Sequence, residues 1–337
     1  MLNRKVSAFL SLTILILNVT YNMQKKLRTK IIKRTFFIII ILGFLLTHFF
    51  VPRLISEIRN PVVGLIKRNH NVKHDINTNK TSELKRKTIS INSFDDIKLS
   101  ASITYSNLDS VKGTIILLHG IRSNKDHFID LSSFLSVNGY NSVAMDLRAH
   151  GESEGQFCSF GVNEKKDIKK LVDYLYEYEK LKRIGIWGQS LGGAISLQAM
   201  GIDERIEFGI VESAFTDFKT IVNDYFDLHA GFSFTPFTNY LVNRTGKIAE
   251  FDPNDAKPIK YCENIKQPIL IVHGNDDERI NIKYGQENFT KIKSTEKEFI
   301  MIDSANHSNV WKVGGEKYFD KVILFLDKQT VGNNVYN

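Results

Sequence analysis

The chain has 337 residues, 42% of them hydrophobic and 24% charged, which is an ordinary composition for a globular protein with a sizeable core. Its net charge of +8 comes from the N-terminal region, since residues 1–90 hold 17 of the 45 basic and 3 of the 37 acidic residues, so that residues 91–337 carry a net charge of −6. A mildly acidic folded part does not suit the phosphate backbone, and we predict no nucleic-acid partner.

The N-terminal region contains an almost unbroken apolar run, FFIIIILGFLLTHFFV, at residues 36–51. A membrane-spanning helix needs about 17–25 such residues, so this run and its flanks predict a transmembrane anchor at residues 36–52. Six basic residues closely precede the run: Lys25, Lys26, Arg28, Lys30, Lys33 and Arg34. By the positive-inside rule, residues 1–35 form a basic cytoplasmic leader. We therefore predict a single-pass protein of the cell membrane whose main domain is extracytoplasmic.

An earlier apolar segment, from Val6 to Val19, leaves other topologies open. The segment is compatible with a signal-like region or with a second membrane span. Alternatively, Met23 is the true start, which leaves a basic segment followed by a single signal-anchor helix. In both membrane interpretations the basic cluster stays cytoplasmic. A cleaved signal peptide without a mature anchor is a further alternative, disfavoured because no small-x-small cleavage site cleanly follows Val51. Residues 53–85 are rich in Asn, Lys and Thr, which predicts a polar stalk.

Strand-like and helix-like patterns alternate through residues 86–330, which we predict to be the folded domain. A hairpin is predicted around Asp95-Asp96. Six short apolar runs, typical of strands buried on both faces, follow at 114–118, 142–145, 184–187, 208–211, 269–272 and 298–302. Helical periodicity separates them at 125–137, 164–180, 191–200, 283–292 and 316–326. The alternation predicts an α/β fold with a mostly parallel, eight-stranded sheet flanked by helices.

More than fifty residues separate the predicted strand ending near Glu212 from the one beginning at Pro268, and they include an aromatic-rich segment at 224–237. Connections of this length in a compact domain are usually functional. Because this one would lie over the carboxyl ends of the strands, where open α/β sheets bind ligands, we predict a lid at about residues 214–260 that lines an apolar pocket. An ordinary extra helix pair with its own packing is the alternative.

The sequence Gly188-x-Ser190-x-Gly192 lies between a buried strand and a helix. A nucleophile elbow holds its serine in a strained strand-to-helix turn, which neighbouring chain can approach only where Cβ atoms are missing. The N-terminus of the following helix also directs free N–H groups towards developing negative charge. The context therefore predicts Ser190 as a nucleophile.

A serine hydroxyl needs a base to take its proton, and histidine is the usual base. Of the nine histidines, His307 lies in the loop after the last predicted strand, where the chain order Ser…acid…His puts the base. The acid, which would orient the imidazole, should follow the preceding strand. Asp276, Asp277 and Glu278 are all candidates there, and spacing does not choose among them. Glu212, at the end of the earlier strand, is an outside candidate.

These motifs resemble those of α/β-hydrolases of the serine aminopeptidase-like and acyl-esterase-like group, and the resemblance covers residues 88–328. It rests on Leu117-Leu-His-Gly-Ile121, Asp146-Leu-Arg-Ala-His-Gly-Glu-Ser153, Gly188–Gly193, Pro268–Ile280 and Asn306-His307-Ser308. The family's His-Gly-x-x-Asp pattern falls on residues 273–277, which implies Asp277 as the acid. The resemblance also implies an oxyanion hole formed by the backbone N–H groups of Ile121 and Leu191. One departure is Ala149, where the family commonly has glycine.

The resemblance implies a serine hydrolase that cleaves a carboxylic ester, or a related acyl bond, of a small-molecule acyl substrate. Ser190, His307 and Asp277 would form and hydrolyse an acyl-enzyme intermediate without a metal or an organic cofactor. A membrane-anchored serine aminopeptidase-like peptidase is an alternative, but it needs a carboxylate for the free amine, and the sequence identifies none. An alternative of another class is a non-catalytic binding protein on a hydrolase scaffold.

The two cysteines, Cys158 and Cys262, are too few for a disulfide framework and lack the spacing of zinc ligands. They are able to pair if the domain lies outside the cytoplasm, and two free thiols are the alternative.

Overall fold

The protein is described by a computed structural model that covers residues 2–59 and 84–331. It divides into two compact units, Met1–Val51 and Pro52–Asn337. The first unit contains helix α1 (Leu2–Leu45) and a π-helical turn (Leu46–Phe50).

The large apolar side chains of α1 face outward, as Phe37 (63% exposed) and Leu42 (58% exposed) illustrate. Threonine hydroxyls along the helix, such as those of Thr13 and Thr29, donate to carbonyls of the preceding turn and so satisfy their own polarity. Within the described residues, one helical segment, Leu12–Ser56, contains a stretch long and apolar enough to cross a membrane. A signal sequence near the N-terminus would have the same properties.

The last residues of this helical segment, from Pro52 onward, belong to the second unit. Helix α2 (Val51–Ser56) buries Pro52 and Ser56. The Thr245 hydroxyl donates to the Pro52 carbonyl (3.2 Å), and the Cys158 N–H donates to the Ser56 carbonyl (2.8 Å). The segment predicted as a stalk therefore begins with residues that lie against the folded unit, and its residues 60–83 fall outside the described residues.

One eight-stranded sheet forms the centre of the second unit. Its strands are β1 (Arg86–Asn92), β2 (Lys98–Thr104), β3 (Gly113–Leu118), β4 (Tyr140–Met145), β5 (Ile184–Gln189), β6 (Ile206–Glu212), β7 (Ile269–Gly274) and β8 (Lys297–Ile302). They lie in the order β1-β2-β4-β3-β5-β6-β7-β8. Only the β1–β2 and β2–β4 pairs are antiparallel, and the remaining pairs are parallel. This confirms the predicted mostly parallel sheet.

Helices cover the sheet on both faces. They are α3 (Ile129–Val137), which follows a 3-10 turn (Lys125–Phe128), α4 (Glu164–Glu177), α5 (Leu191–Met200), α6 (Phe218–Ala230), α7 (Thr235–Ile248), α8 (Pro258–Cys262), α9 (Ile282–Lys291) and α10 (Val310–Val331). Along β3, Ile116 and Leu118 belong to one core cluster with α4 and α5, whereas Ile115 and Leu117 belong to another with α3 and α10. Burial on both faces explains why the parallel strands are continuous apolar runs.

The interval predicted as a lid folds as a helix pair, α6 and α7, after β6. Asp217 caps the N-terminus of α6, because its side chain accepts hydrogen bonds from the N–H groups of the first turn. Gly231 ends the helix in the left-handed conformation (φ 72°), which glycine adopts without steric cost. The connecting turn exposes Phe232 (66%) and Phe234 (61%). Its action as a lid stays a prediction.

Candidate active site

Ser190 lies in the turn between β5 and α5, with a backbone conformation (φ 54°, ψ −115°) that is rare for a residue with a side chain. The two motif glycines allow the surrounding chain to close on this turn. A Cβ atom on Gly192 would lie 2.0 Å from the Leu118 carbonyl oxygen, and one on Gly188 would lie 2.2 Å from the Gly192 carbonyl oxygen. The β3–β5 pairing fixes Leu118, so neither contact has room to relax. The chain thus meets the requirements of a nucleophile elbow.

Gly192→Ala is therefore expected to destabilise the protein by about 1–3 kcal/mol through overpacking and to lower hydrolytic activity by displacing Ser190. Gly231→Ala is the matched control, because a Cβ atom there meets nothing within 4 Å although φ is +72°. That control should cost only the penalty of the left-handed backbone, about 1 kcal/mol, with activity retained. Thermal unfolding and ester hydrolysis measure both effects, and a Gly192→Ala protein with normal activity would contradict the role given to this glycine.

The structure brings Ser190, His307 and Asp277 together, although they are far apart along the chain. His307 Nε2 lies 2.9 Å from Ser190 Oγ, and His307 Nδ1 lies 2.7 Å from Asp277 Oδ2. The other carboxylate oxygen of Asp277 accepts hydrogen bonds from the backbone N–H groups of Arg279 (3.0 Å) and Ile280 (2.9 Å). A serine, an imidazole and a buried carboxylate are thus linked in the arrangement that activates a hydroxyl.

The Asp277 carboxylate is held in its ionised form. Burial alone would raise the pKa of Asp277, but His273, His307 and the Ile280 N–H outweigh burial and leave the pKa well below its usual range. His273 Nε2 is 3.6 Å from Asp277 Oδ2, beyond hydrogen-bonding distance, and is bonded instead to the Ile280 carbonyl at 2.8 Å. His273 therefore lies next to the carboxylate without a hydrogen bond to it, whereas His307 is hydrogen-bonded to it directly.

The other candidate acids lie elsewhere. Asp276 and Glu278 are exposed, on either side of the buried Asp277. Glu212 is buried, and its carboxylate accepts hydrogen bonds from Trp187 (2.9 Å), Gln189 (2.6 Å), Trp311 (2.9 and 3.0 Å) and Tyr318. Burial raises the pKa of Glu212 although these donors oppose the shift. Glu212 thus serves the packing beneath the elbow, and its main-chain carbonyl accepts the Ser190 N–H at 2.9 Å.

Glu212→Gln is expected to lower the free energy of unfolding by about 2–4 kcal/mol, because an amide NH₂ would face donors that it cannot bond. Glu207→Gln, on the same strand but half-buried, is the matched control and should cost less than about 1 kcal/mol. Chemical denaturation of the two variants measures the difference. Equal stabilities would show that the four donors do not need a carboxylate.

The main chain proposed for the oxyanion hole lies close to Ser190. A Cβ atom on Gly120 would lie 3.5 Å from Ser190 Cβ, so the loop leading to Ile121 passes directly beside the nucleophile. Leu191 is the first residue of α5, where a helix leaves its N–H groups without intrahelical partners. Within the described residues, neither Ile121 nor Leu191 donates its N–H to a backbone carbonyl.

A cavity of about 250 Å³ opens beside Ser190 and His307. Its lining is about half polar and half apolar, and it consists of Gly120, Ile121, Ser123, His127, Gln189, Ser190, Glu212, Ser213, Tyr225, Arg279, His307, Ser308, Val310 and Trp311. Of the helix pair α6–α7, only Tyr225 borders the cavity, so the pair contributes less apolar surface to it than predicted. Other aromatic residues of the pair pack elsewhere, since Phe218 stacks on Phe160 and Phe226 packs against Phe237 at 5.8 Å.

Sequence reasoning missed a hydrogen-bonded chain behind the nucleophile. His127 Nε2 lies 2.7 Å from Gln189 Oε1, and the Gln189 amide donates to Glu212, so the side chain next to Ser190 is fixed at both ends. It also missed Tyr225 and Arg279 as lining residues. No spacing rule joins residues from the 3-10 turn before α3, from α6 and from the β7–α9 loop, because only the fold of the domain brings them together.

The described residues contain no group of three or more His, Cys, Asp or Glu side chains arranged to hold a metal ion. Cys158 and Cys262 are both buried and unpaired, so the alternative of two free thiols is correct.

Sheet order, elbow and helical layers define an α/β-hydrolase fold. Residues 109–248 match the family model described as serine aminopeptidase, S33. The esterase Pf2001 of Pyrococcus furiosus superimposes with a TM-score of 0.60 at 25% sequence identity, covering 73% of this chain and 94% of that one.

Two relatives illustrate the sequence similarity. The chain is 25% identical to the uncharacterized protein YqkD of Bacillus subtilis over 222 residues, covering 64% of this chain and 71% of that protein. It is 26% identical to a monoglyceride lipase of Saccharomyces cerevisiae over 276 residues, covering 66% of this chain and 87% of that protein. Esterases and a lipase among its relatives support a hydrolase acting on small-molecule substrates.

Proposed function

We propose that the protein is a serine hydrolase that cleaves a carboxylic ester, or a related acyl bond, through an acyl-enzyme intermediate. The observation that carries the proposal is the continuous hydrogen-bonded line from Ser190 Oγ to His307 Nε2 (2.9 Å) and from His307 Nδ1 to Asp277 (2.7 Å). A serine and a base within hydrogen-bond reach, with a third group orienting the base, are the requirements of nucleophilic catalysis by a hydroxyl.

In the first half of the proposed reaction, Ser190 Oγ attacks the substrate carbonyl carbon while His307 Nε2 takes the hydroxyl proton. The imidazolium that forms is stabilised by the ionised Asp277, which also holds the ring in the productive orientation. Negative charge develops on the carbonyl oxygen, where the N–H groups of Ile121 and Leu191 would stabilise it; one such donor is typically worth about 10²–10³ in rate. His307 then protonates the leaving oxygen, the bond to it breaks, and an acyl-serine remains.

In the second half, water attacks the acyl-serine while His307 takes its proton, and the collapse of the second tetrahedral intermediate returns the proton to Ser190 and releases the acid. An ester is favoured over a peptide because the alcohol is the easier leaving group. A peptidase that recognises a free amine would need an uncommitted carboxylate, but the two carboxylates at the cavity, Glu212 and Asp277, are each engaged by several donors. The esterase and lipase relatives agree with this preference.

The test is labelling with a fluorophosphonate probe, which reacts with activated serines, followed by turnover of p-nitrophenyl esters of different chain length. Labelling at Ser190 together with ester turnover is the expected result. A protein that is neither labelled nor active on any ester, while folded, would favour the non-catalytic alternative. Turnover of aminoacyl amides but not esters would favour the peptidase.

We further propose that residues 36–52, the apolar run within the helical segment Leu12–Ser56, anchor the protein in the cell membrane, with the hydrolase domain outside the cytoplasm. The basic residues before the apolar run support this orientation through the positive-inside rule. Protease added to intact cells should then digest the hydrolase domain. A domain that is cleaved only after cell lysis would contradict the orientation, and release of the protein without detergent would contradict the anchor.

A further inference from the structure

Tyr225 and Arg279 both line the catalytic cavity, and neither Arg279 nor the nearby Arg122 has an acidic partner within the described residues. Arg122 is half-buried and follows the cavity residue Ile121. Burial raises the pKa of Tyr225, and both guanidinium groups oppose that rise. The salt bridges formed by described residues include neither arginine, although arginines elsewhere in the domain, such as Arg148 and Arg205, are paired with aspartates.

The two arginines differ in how far their guanidinium N–H donors are already hydrogen-bonded. Arg122 donates to the Leu54 carbonyl at 2.8 Å, so one of its nitrogens is engaged by the segment that follows the apolar helix. Arg279 is exposed, and within the described chain its guanidinium makes no hydrogen bond, while its backbone N–H is bonded to Asp277. The backbone contact fixes the base of Arg279 beside the proposed triad and leaves its charged end free at the cavity.

The acids near this position do not neutralise Arg279. Asp277 faces His307, and Glu212 faces its four donors beneath the elbow. On α6, Asp224 accepts the hydroxyl of Tyr284. A free guanidinium next to a phenol hydroxyl supplies planar, charge-assisted donors that match a carboxylate or a phosphate.

From this arrangement we infer that the cavity selects esters that carry an anionic group, a carboxylate or a phosphate, which Arg279 and Tyr225 bind while Ser190 attacks the ester carbonyl. The inference rests on the proposed esterase function and names its substrate class. A cavity of about 250 Å³ whose lining is half polar and includes Arg279 suits a short ester with a charged end better than a long acyl chain.

Two matched pairs of substrates test the inference with the full-length protein in detergent. Monoethyl succinate and ethyl butyrate differ by a carboxylate on the acyl side, whereas the phosphate monoester of 2-hydroxyethyl butyrate and 2-hydroxyethyl butyrate itself differ by a phosphate on the alcohol side. NMR of the released products gives kcat/KM for each ester. The anionic member of at least one pair should be preferred, and the pair that shows the preference identifies the side and the group that Arg279 contacts.

The readout is the ratio of kcat/KM for the anionic ester to that for its neutral partner. Arg279→Gln should lower the ratio about tenfold, equivalent to about 1.4 kcal/mol, and Arg279→Lys should restore part of it. Tyr225→Phe should lower it by less, because a neutral donor is lost. Raising the salt concentration from about 0.05 M to about 0.5 M should also reduce the ratio, since the arginine is exposed. Lys312→Gln removes the same charge from an exposed site outside the cavity and should leave the ratio unchanged.

An unchanged ratio in Arg279→Gln, or a wild-type preference for the neutral ester in both pairs, would overturn the inference while leaving the esterase proposal standing. A wild-type protein that hydrolyses none of the four esters and takes up no fluorophosphonate label would overturn both.

Discussion

Ser190→Ala is expected to lower the rate of ester hydrolysis by about 10⁴–10⁶ and to abolish fluorophosphonate labelling, because no other hydroxyl is hydrogen-bonded to His307 in the described structure. The substitution removes one oxygen atom from the cavity wall and leaves the elbow glycines in place. Its thermal midpoint should therefore stay close to that of the wild type. Residual activity above the uncatalysed rate would come from the oxyanion hole and substrate binding alone.

The control for this variant is Ser110→Ala, an exposed serine in the loop before β3, which should retain both labelling and activity. Comparison of the two proteins separates loss of the nucleophile from loss of a serine as such. Labelling of the Ser190→Ala protein at the wild-type rate would identify a different nucleophile and contradict the proposed mechanism.

Asp277→Asn should lower kcat by about 10⁴, because the amide NH₂ cannot accept the His307 Nδ1–H and selects the wrong tautomer of the imidazole. Asp276→Asn is a matched control, since it replaces a carboxylate oxygen of the neighbouring, exposed acid by the same NH₂ group. That control should keep nearly full activity. Equal losses of kcat in both variants would contradict the assignment of Asp277 as the acid of the triad.

The same pair of proteins gives a pH dependence with a definite sign. Because the pKa of Asp277 is lower in the folded protein than in the unfolded chain, its ionisation contributes stability that is fully present above the unfolded value and is lost on acidification. The free energy of unfolding of the wild type should therefore fall relative to Asp277→Asn as the pH drops below about 4. Denaturation of both proteins at a series of pH values measures this change. A wild type that gains stability relative to Asp277→Asn on acidification would contradict the lowered pKa of Asp277.

The fold could be predicted because the sequence patterns that specify its strands and its elbow are local. Strands buried on both faces appear as continuous apolar runs, and the elbow needs glycines where β3 and α5 approach within van der Waals contact. The choice of acid was not local, because Asp276, Asp277 and Glu278 are equivalent as sequence and only the turn after β7 buries the middle one. The family resemblance supplied that choice, and the catalytic roles stay predictions.

Other features depended on contacts between distant parts of the chain. Residues 53–59 belong to the predicted stalk, yet Ser56 is fully buried and its carbonyl accepts the N–H of Cys158. Arg279 lies in the motif segment Pro268–Ile280, but the motif gives it no role, and only the fold brings it to the same cavity as Tyr225 of α6. Neither hydropathy nor spacing reports such contacts.

The two free cysteines have a practical consequence for handling the protein. Burial raises the pKa of the Cys262 thiol to about 12 and that of the Cys158 thiol well above its ordinary value, so both remain protonated and inert towards oxidants while the domain is folded. The two thiols of the folded protein should therefore stay reduced in an oxidising environment. Thiol reagents reach these cysteines only when the sheet and helices separate. The rate of alkylation therefore measures how often the domain opens, without the need for a substrate.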